Sequence, residues 1–263
     1  MCTSWFKQTT PNWAYHSRVA LLFAINIYGT GSNSGNNLRG CINDVNLAEQ
    51  KLLPENFQIR KFLDSKVTRK RILMELEYAL ANSKSGDIIY VHYSGHGTLV
   101  RDYNGDELSG YDQAWYVYDG VLVDDQLHAV LAKVPVGVTV ILLIDSCHSG
   151  SSTRSNYYQA KYRFIDPGFK VDITLPVSNR VLTDNAWISM AGCRDDQTAA
   201  DAYIASIDKY HGIFSYYALN TLRRTYTYVE WYDTIRLYLP NTYFDQEPVL
   251  EGRESSINQI VLF

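Results

Sequence analysis

The chain contains 263 residues, and 46% of them are hydrophobic, which is enough apolar material for one sizeable α/β domain. Its formal net charge is −4, and its isoelectric point is near 5.9. The acidic balance excludes the basic surface that nucleic-acid binding requires. No apolar stretch approaches the roughly 18 residues of a membrane span, residues 1–20 hold no apolar signal-peptide core, and the four cysteines stand far apart, so we expect a cytoplasmic protein with no membrane partner.

Apolar runs rich in β-branched residues predict strands that are buried in a parallel sheet. In chain order, these runs cover residues 18–27, 59–63, 88–93, 138–144 and 186–191. Between and after them, apolar residues at helical spacing predict helices, the second of which Thr68 is expected to cap. The predicted helices cover residues 44–53, 69–82, 124–131, 212–222 and 228–239. This alternation of strand and helix is typical of an α/β fold.

Three segments lack a regular pattern. Residues 38–44 are expected to form the loop that leads into the first helix, and residues 101–120 are polar and rich in turn residues. Residues 151–183 show no clear periodicity over a length that is unusual for a structureless connection inside a compact domain. We therefore expect one domain over residues 1–263, in which 151–183 is a functional or mobile linker between two halves and 1–17 is an N-terminal extension.

Two of the predicted strands end in reactive side chains that glycines flank. The run 88–93 leads to Ser94-Gly95-His96-Gly97, and the run 138–144 leads to Asp145-Ser146-Cys147-His148-Ser149-Gly150. The working residues of open parallel sheets lie just past the carboxyl ends of the strands, so we expect His96 and Cys147 to lie close together. A thiolate is a strong nucleophile and an imidazole can accept the thiol proton, so the pair predicts a cysteine protease.

The motifs around this pair resemble those of the metacaspases, which are caspase-fold proteases of bacteria, protists, fungi and plants. His96 precedes Cys147 by roughly 50 positions, as in caspases. The matching motifs are Leu38–Asp44, Tyr93–Gly97, Asp145–Gly150, Ala191–Ala200 and the tail from Gln246 to Phe263. The resemblance covers residues 18–263, and it implies a caspase-like α/β fold with a mainly parallel central sheet flanked by helices on both faces.

The same resemblance implies roles for individual residues. His96 would be the general base for Cys147, and the backbone NH groups of Gly97 and Cys147 would hold the oxyanion. The pocket for the residue before the cleaved bond would be lined by Cys41, Asp44, Ser94 and Asp145. Because carboxylates select cations, the implied partners are protein or peptide substrates with Arg, or Lys, at the cleavage site. No third member of a catalytic triad can be named from the sequence.

Calcium is the cofactor that the resemblance suggests, since metacaspases often bind this hard cation through several aspartates. Asp112, Asp124 and Asp125 could correspond to three of those ligands. The fourth family aspartate lies seven residues beyond the nucleophile, where this chain has Arg154, and a cation there would repel calcium. Asp124 and Asp125 could instead cap the helix that follows them. We therefore predict no required cofactor.

Other interpretations of these residues stay open at this point. Cys147 could be a small core cysteine, and Asp44 could be a helix cap. The chain could also be a non-catalytic caspase-like module that binds a partner or a nucleotide messenger, although a pseudoenzyme does not need an intact His96. A zinc site is a further alternative, but it lacks close ligand pairs other than Cys147-His148. Its candidate ligands are His96, Cys147, His148 and Cys193.

Regulation has two candidate mechanisms. The linker contains Lys161, Arg163, Lys170 and Arg180, and a protease with this specificity could cut itself after any of them. By analogy with bacterial caspase-like proteases of antiviral systems, a small nucleotide-like activator is the other hypothesis. That analogy also suggests a role in regulated cell death or antiviral defence.

Overall fold

The computed structural model describes residues 18–28, 35–102, 110–147, 160–166, 180–182 and 186–262. The strands are β1 (Arg18–Ala24), β2 (Gln58–Leu63), β3 (Ile88–Ser94), β4 (His96–Arg101), β5 (Tyr111–Val117), β6 (Gly120–Val123), β7 (Thr139–Asp145), β8 (Lys161–Tyr162), β9 (Arg180–Leu182), β10 (Ile188–Ala191), β11 (Ala200–Ile204), β12 (Lys209–Gly212) and β13 (Val249–Gly252). The helices are α1 (Cys41–Leu52), α2 (Arg69–Ala81), α3 (Asp124–Leu131), α4 (Ile213–Thr221), α5 (Tyr228–Arg236) and α6 (Glu254–Ile257).

A seven-stranded sheet forms the centre of the protein, in the order β2-β1-β3-β7-β10-β13-β9. Each neighbouring pair in it is parallel except β10 and β13, which run antiparallel. Two three-stranded antiparallel sheets, β4-β5-β6 and β12-β11-β8, accompany it. The mainly parallel sheet with helices around it confirms the predicted α/β fold class.

Side-chain alternation along β1 shows how the sheet divides the core in two. Ala20 and Leu22 face the cluster that contains the buried side chains of α1, α4 and α5. Leu21 and Phe23 face the opposite cluster, which α2 and α3 complete. Because successive strand residues point to opposite faces, a strand covered on both faces is apolar throughout, and the predicted strand runs of this chain have that composition.

The predicted helices lie close to the observed ones. The bounds of α3 match the prediction, and α2 begins after Thr68, whose hydroxyl accepts a hydrogen bond from the backbone N of Arg71. The start of α1 was placed three residues too late, because its N-cap residue is Gly40, which has no side chain to signal a helix start. No helix in the described part of the chain is both long and apolar enough to span a membrane.

The polar segment 101–120 was predicted as turns, but it contributes to the antiparallel sheet β4-β5-β6. The strands β11 and β12 were also missed. These strands are short, and β5 alternates buried and partly exposed residues, so they lack the continuous apolar runs that mark the central strands.

Several predictions fall outside the described residues, namely those for residues 1–17 and for 151–159, 167–179 and 183 of the linker.

The cap of α2 gives a direct stability test. Replacing Thr68 by Ala removes the side-chain acceptor for the Arg71 amide, so we expect the free energy of unfolding to fall by about 1 kcal/mol. Urea titration followed by circular dichroism measures the change. Thr68→Ser is the matched control, because it keeps the hydroxyl, and it should retain most of the stability. An unchanged midpoint for Thr68→Ala would show that the cap contributes nothing.

Candidate active site

The two reactive residues leave the central sheet side by side. Strands β3 and β7 are parallel neighbours, and their pairing ends with Ser94 opposite Asp145. His96 and Cys147 each follow two residues later, so both lie at the same carboxyl edge of the sheet. Both side chains are buried, His96 being 3% exposed and Cys147 0%. The register of the parallel pair therefore brings together two residues that are far apart in sequence.

The imidazole of His96 is held through one nitrogen. Its Nε2 lies 2.7 Å from the carbonyl oxygen of Asn36, and since a carbonyl can only accept, Nε2 must carry the proton. Nδ1 is then the unprotonated nitrogen, and it is buried with no hydrogen-bond partner among the described residues. Burial lowers the pKa of His96 to about 4, although the Asn36 and Arg163 carbonyls act in the opposite direction. The ring is thus neutral at pH 7, with a lone pair available on Nδ1.

The Cys147 thiol lies in a small apolar cluster with Cys193 and Ala199. Its Sγ is 3.3 Å from the carbonyl oxygen of Ala199 and accepts a hydrogen bond from the Ala199 amide. The contact with Cys147, together with burial, raises the pKa of the Cys193 thiol well above its usual value. Cys193 therefore remains protonated near neutral pH.

The described part of the linker crosses this site as an extended chain. The carbonyl oxygen of Arg163 accepts hydrogen bonds from the backbone N of Gly97 at 2.8 Å and of Cys147 at 3.2 Å. The Arg163 amide donates to the Ala199 carbonyl at 3.0 Å, and the Ile165 amide donates to the Gly97 carbonyl at 3.0 Å. The two NH groups that the resemblance assigned to an oxyanion therefore converge on one carbonyl oxygen of the protein itself.

The side chain of Arg163 enters a buried pocket next to this carbonyl. Its Nη2 donates to Asp44 Oδ2 at 2.7 Å. Its Nη1 donates to the Ser94 hydroxyl at 2.7 Å and to the Asp145 carbonyl at 2.9 Å, and it lies 3.3 Å from Asp145 Oδ1. Cys41 is also buried, and it begins α1 three residues before Asp44. Three of the four predicted pocket residues, Asp44, Ser94 and Asp145, thus contact one arginine.

The pocket carboxylates are held in place by backbone and side-chain donors. Asp44 does not cap α1. Its Oδ1 instead lies 2.8 Å from His211 Nδ1, and both of its oxygens accept from the Gly212 amide at 3.0 and 3.1 Å. Asp145 Oδ2 accepts from the Ser215 amide at 2.9 Å. Both aspartates are therefore fixed before any ligand enters, which is the arrangement expected of a preorganised cation site.

Burial and charge compete in setting the pKa values of this pocket. Burial alone would raise the pKa of Asp44, but Arg163 and His211 outweigh it and hold that pKa below its usual value. The pKa of Asp145 is raised by burial, and the nearby Asp44 charge acts in the same direction. The pKa of Arg163 rises despite its burial, because the neighbouring acidic groups stabilise its charge. The pocket is therefore built to contain a cation.

Several residues of the site carry no signal that sequence reasoning could have used. The Asn36 contact involves only a backbone oxygen, and Arg163 is one of four basic residues in the linker. A Cβ on Gly212 would lie 2.2 Å from Asp145 Oδ2 and 2.6 Å from Arg163 Cζ, so the guanidinium requires a glycine there. Asp201 accepts from the amides of Arg39 and Gly40 at 2.7 and 3.2 Å, which fixes the start of α1.

The predicted metal ligands do not form a metal site in the described part of the chain. Asp112 lies on β5, while Asp124 and Asp125 begin α3, whose N-cap is Val123. The Asp125 amide donates to Asp124 Oδ1 at 3.0 Å. The described residues contain no group of three or more His, Cys, Asp or Glu side chains able to hold a metal ion. Within the described ranges, Asp112, Asp124 and Asp125 are thus not gathered into a calcium site.

The same finding applies to the zinc alternative, because His96, Cys147 and Cys193 are all described and form no such group. His148 and Arg154, which the sequence analysis weighed for zinc and calcium, lie outside the described residues.

The chain is similar in sequence to proteins that contain a caspase domain. A family model described as the caspase domain matches residues 17–256. Metacaspase-1 of Lodderomyces elongisporus is 31% identical over 294 residues, which cover 89% of this chain and 64% of that protein. Metacaspase-2 of Arabidopsis thaliana is 30% identical, covering 73% of this chain and 53% of that protein. The chain thus spans between about half and two thirds of the length of these two relatives.

Solved structures show the same architecture. Protein GSU0716 from Geobacter sulfurreducens superposes with a TM-score of 0.70 at 25% identity, covering 93% of this chain and 98% of that one. Caspase-1 from Spodoptera frugiperda superposes with a TM-score of 0.59 at 12% identity, covering 92% of each chain. The second likeness concerns the fold alone.

A double-mutant cycle tests the buried ion pair, with Cys147→Ala as the common background so that any cleavage by the chain itself is prevented. Asp44→Asn leaves the Arg163 charge less compensated, and we expect it to lower the free energy of unfolding by about 3 kcal/mol. Arg163→Met should also destabilise, because it leaves Asp44 and Asp145 without their cation. The double variant should recover part of the loss, with a coupling of about 1–3 kcal/mol in chemical denaturation. Strictly additive losses would contradict a direct pairing.

Proposed function

The chain belongs to the caspase-domain family of cysteine proteases, and from this premise we propose that it is an endopeptidase that hydrolyses protein and peptide substrates after arginine, or after lysine. One observation carries the proposal. The guanidinium of Arg163 fills the carboxylate pocket while the carbonyl of the same residue accepts from Gly97 and Cys147. A substrate arginine in this position would present its peptide bond next to the Cys147 thiol.

In the proposed reaction, the substrate carbonyl replaces that of Arg163. The Cys147 sulfur attacks the carbonyl carbon and His96 Nδ1 accepts the thiol proton, while the two NH groups stabilise the negative oxygen. The carbon–nitrogen bond then breaks, and His96 returns the proton to the leaving amine. Water hydrolyses the thioester, which releases the acid product and restores the thiol.

The Asn36 carbonyl supports this assignment of His96. It fixes the proton on Nε2 and directs Nδ1 toward proton exchange, which is a positioning role. Because burial lowers the pKa of His96 to about 4, the ring is neutral and its Nδ1 lone pair is unprotonated before the thiol reacts. This supports a His96–Cys147 pair oriented by a backbone oxygen, without a carboxylate as third member.

The proposed preference for arginine over lysine follows from the number of donors. The guanidinium uses separate nitrogens for Asp44 and for Ser94 with the Asp145 carbonyl. A single lysine ammonium on a differently shaped stem satisfies fewer of these acceptors. A substrate aspartate would place a third carboxylate against Asp44 and Asp145, which like-charge repulsion opposes.

Three described cysteines, Cys41, Cys147 and Cys193, are free, which supports a reducing compartment such as the cytoplasm. A nucleotide-like activator and a role in cell death or antiviral defence remain analogies, with no contact among the described residues to support them. The non-catalytic alternative has no observation in its favour, since a binding module does not need two NH donors beside a buried thiol.

Hydrolysis of fluorogenic peptides ending in Arg, Lys or Asp tests the proposal. We expect cleavage after Arg, cleavage after Lys with roughly tenfold lower kcat/KM, and none after Asp. Cys147→Ala should abolish the activity, whereas the matched control Cys193→Ala should keep it within about threefold. The rate of peptide hydrolysis should be the same with added calcium and with a chelator. Preferential cleavage after Asp would disprove the pocket assignment. Equal rates of hydrolysis by Cys147→Ala and by the unchanged chain would disprove the proposal that the chain is a cysteine protease.

The space beside the guanidinium gives a second test. Gly212→Ala adds a methyl group where Arg163 Cζ and Asp145 Oδ2 lie, which would misplace a bound arginine, so we expect kcat/KM after Arg to fall by about 100-fold. Gly35→Ala is the matched control, because a Cβ at Gly35 has no heavy atom within 4 Å, and its kcat/KM should stay unchanged. Unchanged peptide hydrolysis by Gly212→Ala would place the substrate side chain elsewhere.

A further inference from the structure

We propose that Tyr28 is a positioning residue for the base of the reaction: its hydroxyl holds the backbone of His96, and its ring lies against the imidazole on which positive charge develops. This inference rests on the proposed function, and it assigns a role in that function to a residue from another segment of the chain. Nothing in the sequence marks this residue, which is one of 21 tyrosines.

Tyrosine hydroxyls hold the main chain of His96 on both of its sides. The His96 amide donates to the Tyr28 hydroxyl at 2.7 Å, and the Tyr93 hydroxyl donates to the His96 carbonyl at 2.7 Å. The two hydroxyls are also hydrogen-bonded to each other. A hydroxyl has one proton to donate, so Tyr28 accepts from the His96 amide and donates to Tyr93. These bonds form a closed hydrogen-bond loop that begins at the amide of His96 and returns to its carbonyl.

Strand β5 anchors this hydrogen-bond loop. The Tyr93 ring stacks on Trp115 with the ring centroids 4.3 Å apart and the planes 1° from parallel. The Tyr93 hydroxyl lies 3.0 Å from the Tyr116 carbonyl as well. Burial raises the pKa of Tyr28 and of Tyr93 above the usual value of a phenol. Both hydroxyls therefore keep their protons at neutral pH, and the loop stays intact.

The hydrogen-bond loop explains the glycine that precedes His96. A Cβ at Gly95 would lie 2.6 Å from the Tyr28 hydroxyl oxygen and 2.7 Å from that of Tyr93. Contacts this short would push the two hydroxyls apart. The motif Ser94-Gly95-His96-Gly97 therefore needs a glycine at position 95, because the two tyrosines occupy the space that a side chain would use.

The ring of Tyr28 contacts the imidazole itself. The two ring centroids are 4.7 Å apart, and their planes are tilted by 58°. His96 is neutral before the reaction and becomes positively charged when it takes the thiol proton of Cys147, a charge that burial opposes. An aromatic ring within about 6 Å attracts a cation. The Tyr28 ring therefore stabilises a charge that exists only during the reaction, and such an interaction raises kcat.

Tyr28 is also connected to the segment that orients the imidazole. Its backbone N donates to Asn37 Oδ1 at 2.8 Å, and the preceding residue, Asn36, provides the carbonyl that fixes the proton on His96 Nε2. The group that holds the ring and the group that holds the backbone therefore belong to segments that are bonded to each other. A shift of one segment would disturb both contacts of the base.

A purely structural role for Tyr28 is the alternative, since its ring packs against both hydrophobic cores. The two roles have different consequences. The hydrogen bonds of Tyr28 go to Asn37, Tyr93 and His96, whereas other residues hold the guanidinium in the pocket. A positioning role therefore predicts a lower kcat at an unchanged KM. A structural role predicts lower stability and an unchanged kcat for each folded molecule.

The first experiment measures kcat and KM for a fluorogenic peptide that ends in Arg. Active sites are counted by complete titration with an irreversible arginyl peptide inhibitor, so that unfolded molecules do not enter kcat. Tyr28→Phe removes only the hydroxyl, and we expect kcat to fall by about tenfold with KM within about twofold. Tyr28→Leu also removes the aromatic ring, and kcat should fall by about a further tenfold.

Tyr228→Phe is the matched control. The Tyr228 hydroxyl, on α5, accepts from the Leu262 amide at 3.3 Å, so this variant loses the same kind of hydrogen bond away from His96. We expect both Phe variants to lower the midpoint of urea unfolding to a similar extent. Only Tyr28→Phe should lower kcat. Equal kcat values for Tyr28→Phe and Tyr228→Phe would overturn the inference.

The second experiment tests the hydrogen-bond loop by a double-mutant cycle on kcat. Tyr93→Phe opens the same loop at its other side, so we expect it to lower kcat as well. The variant with both changes should then fall no further than the slower single variant, because residues that act as a unit are not additive. A double variant that shows the product of the two single reductions would contradict a closed loop. Should Tyr28→Phe fail to fold, the kcat and KM of Tyr93→Phe decide the question.

The outcomes separate the two proposals. If no peptide that ends in Arg is hydrolysed in a manner that depends on Cys147, the proposed function fails and this inference fails with it. If the unchanged chain hydrolyses the peptide and the Tyr28 variants keep its kcat, only this inference is overturned. A rise in KM at constant kcat would also overturn it, since Tyr28 would then act on substrate binding rather than on His96.

Discussion

The structure depends on one electrostatic constraint, the burial of the Asp44 and Asp145 carboxylates at the edge of the central sheet. Two such charges cannot be left unpaired away from water. Backbone amides of Gly212 and Ser215 satisfy part of their demand, and a cation has to satisfy the rest. Arg163 supplies that cation in the intact chain, so the folding of this region and the chemistry of the pocket have the same requirement.

The scaffold meets this constraint by bringing distant segments to one point. Strands β3 and β7 deliver Ser94 and Asp145 in register, α1 delivers Asp44, and β12 ends at Gly212. Each of these residues also forms hydrogen bonds with another segment: Ser94 and Gly212 with Asp44, and Asp145 with Ser215. Because the sheet and its helices pack on two separate cores, small shifts of one element are opposed by packing on both faces. The position of the site is therefore a property of the whole fold.

The sequence revealed those parts of the protein that depend on local pattern. The central strands, α2 and α3 have strong periodicity, and glycines flank His96 and Cys147 where their strands end. The remaining parts depend on contacts between distant segments: the Asn36 carbonyl on His96, the Asp201 carboxylate below α1, and the selection of Arg163 among equivalent basic residues. Antiparallel strands such as β5 were missed because their half-buried, polar pattern resembles that of turns.

The passage of residues 160–166 through the site has a kinetic consequence for any peptide that binds there. Arg163 already makes the side-chain and backbone contacts that a bound peptide would make. An entering peptide therefore has to replace this segment, so the rate at which the segment leaves sets an upper limit on the rate of binding. Above a certain peptide concentration, more frequent encounters no longer speed up binding.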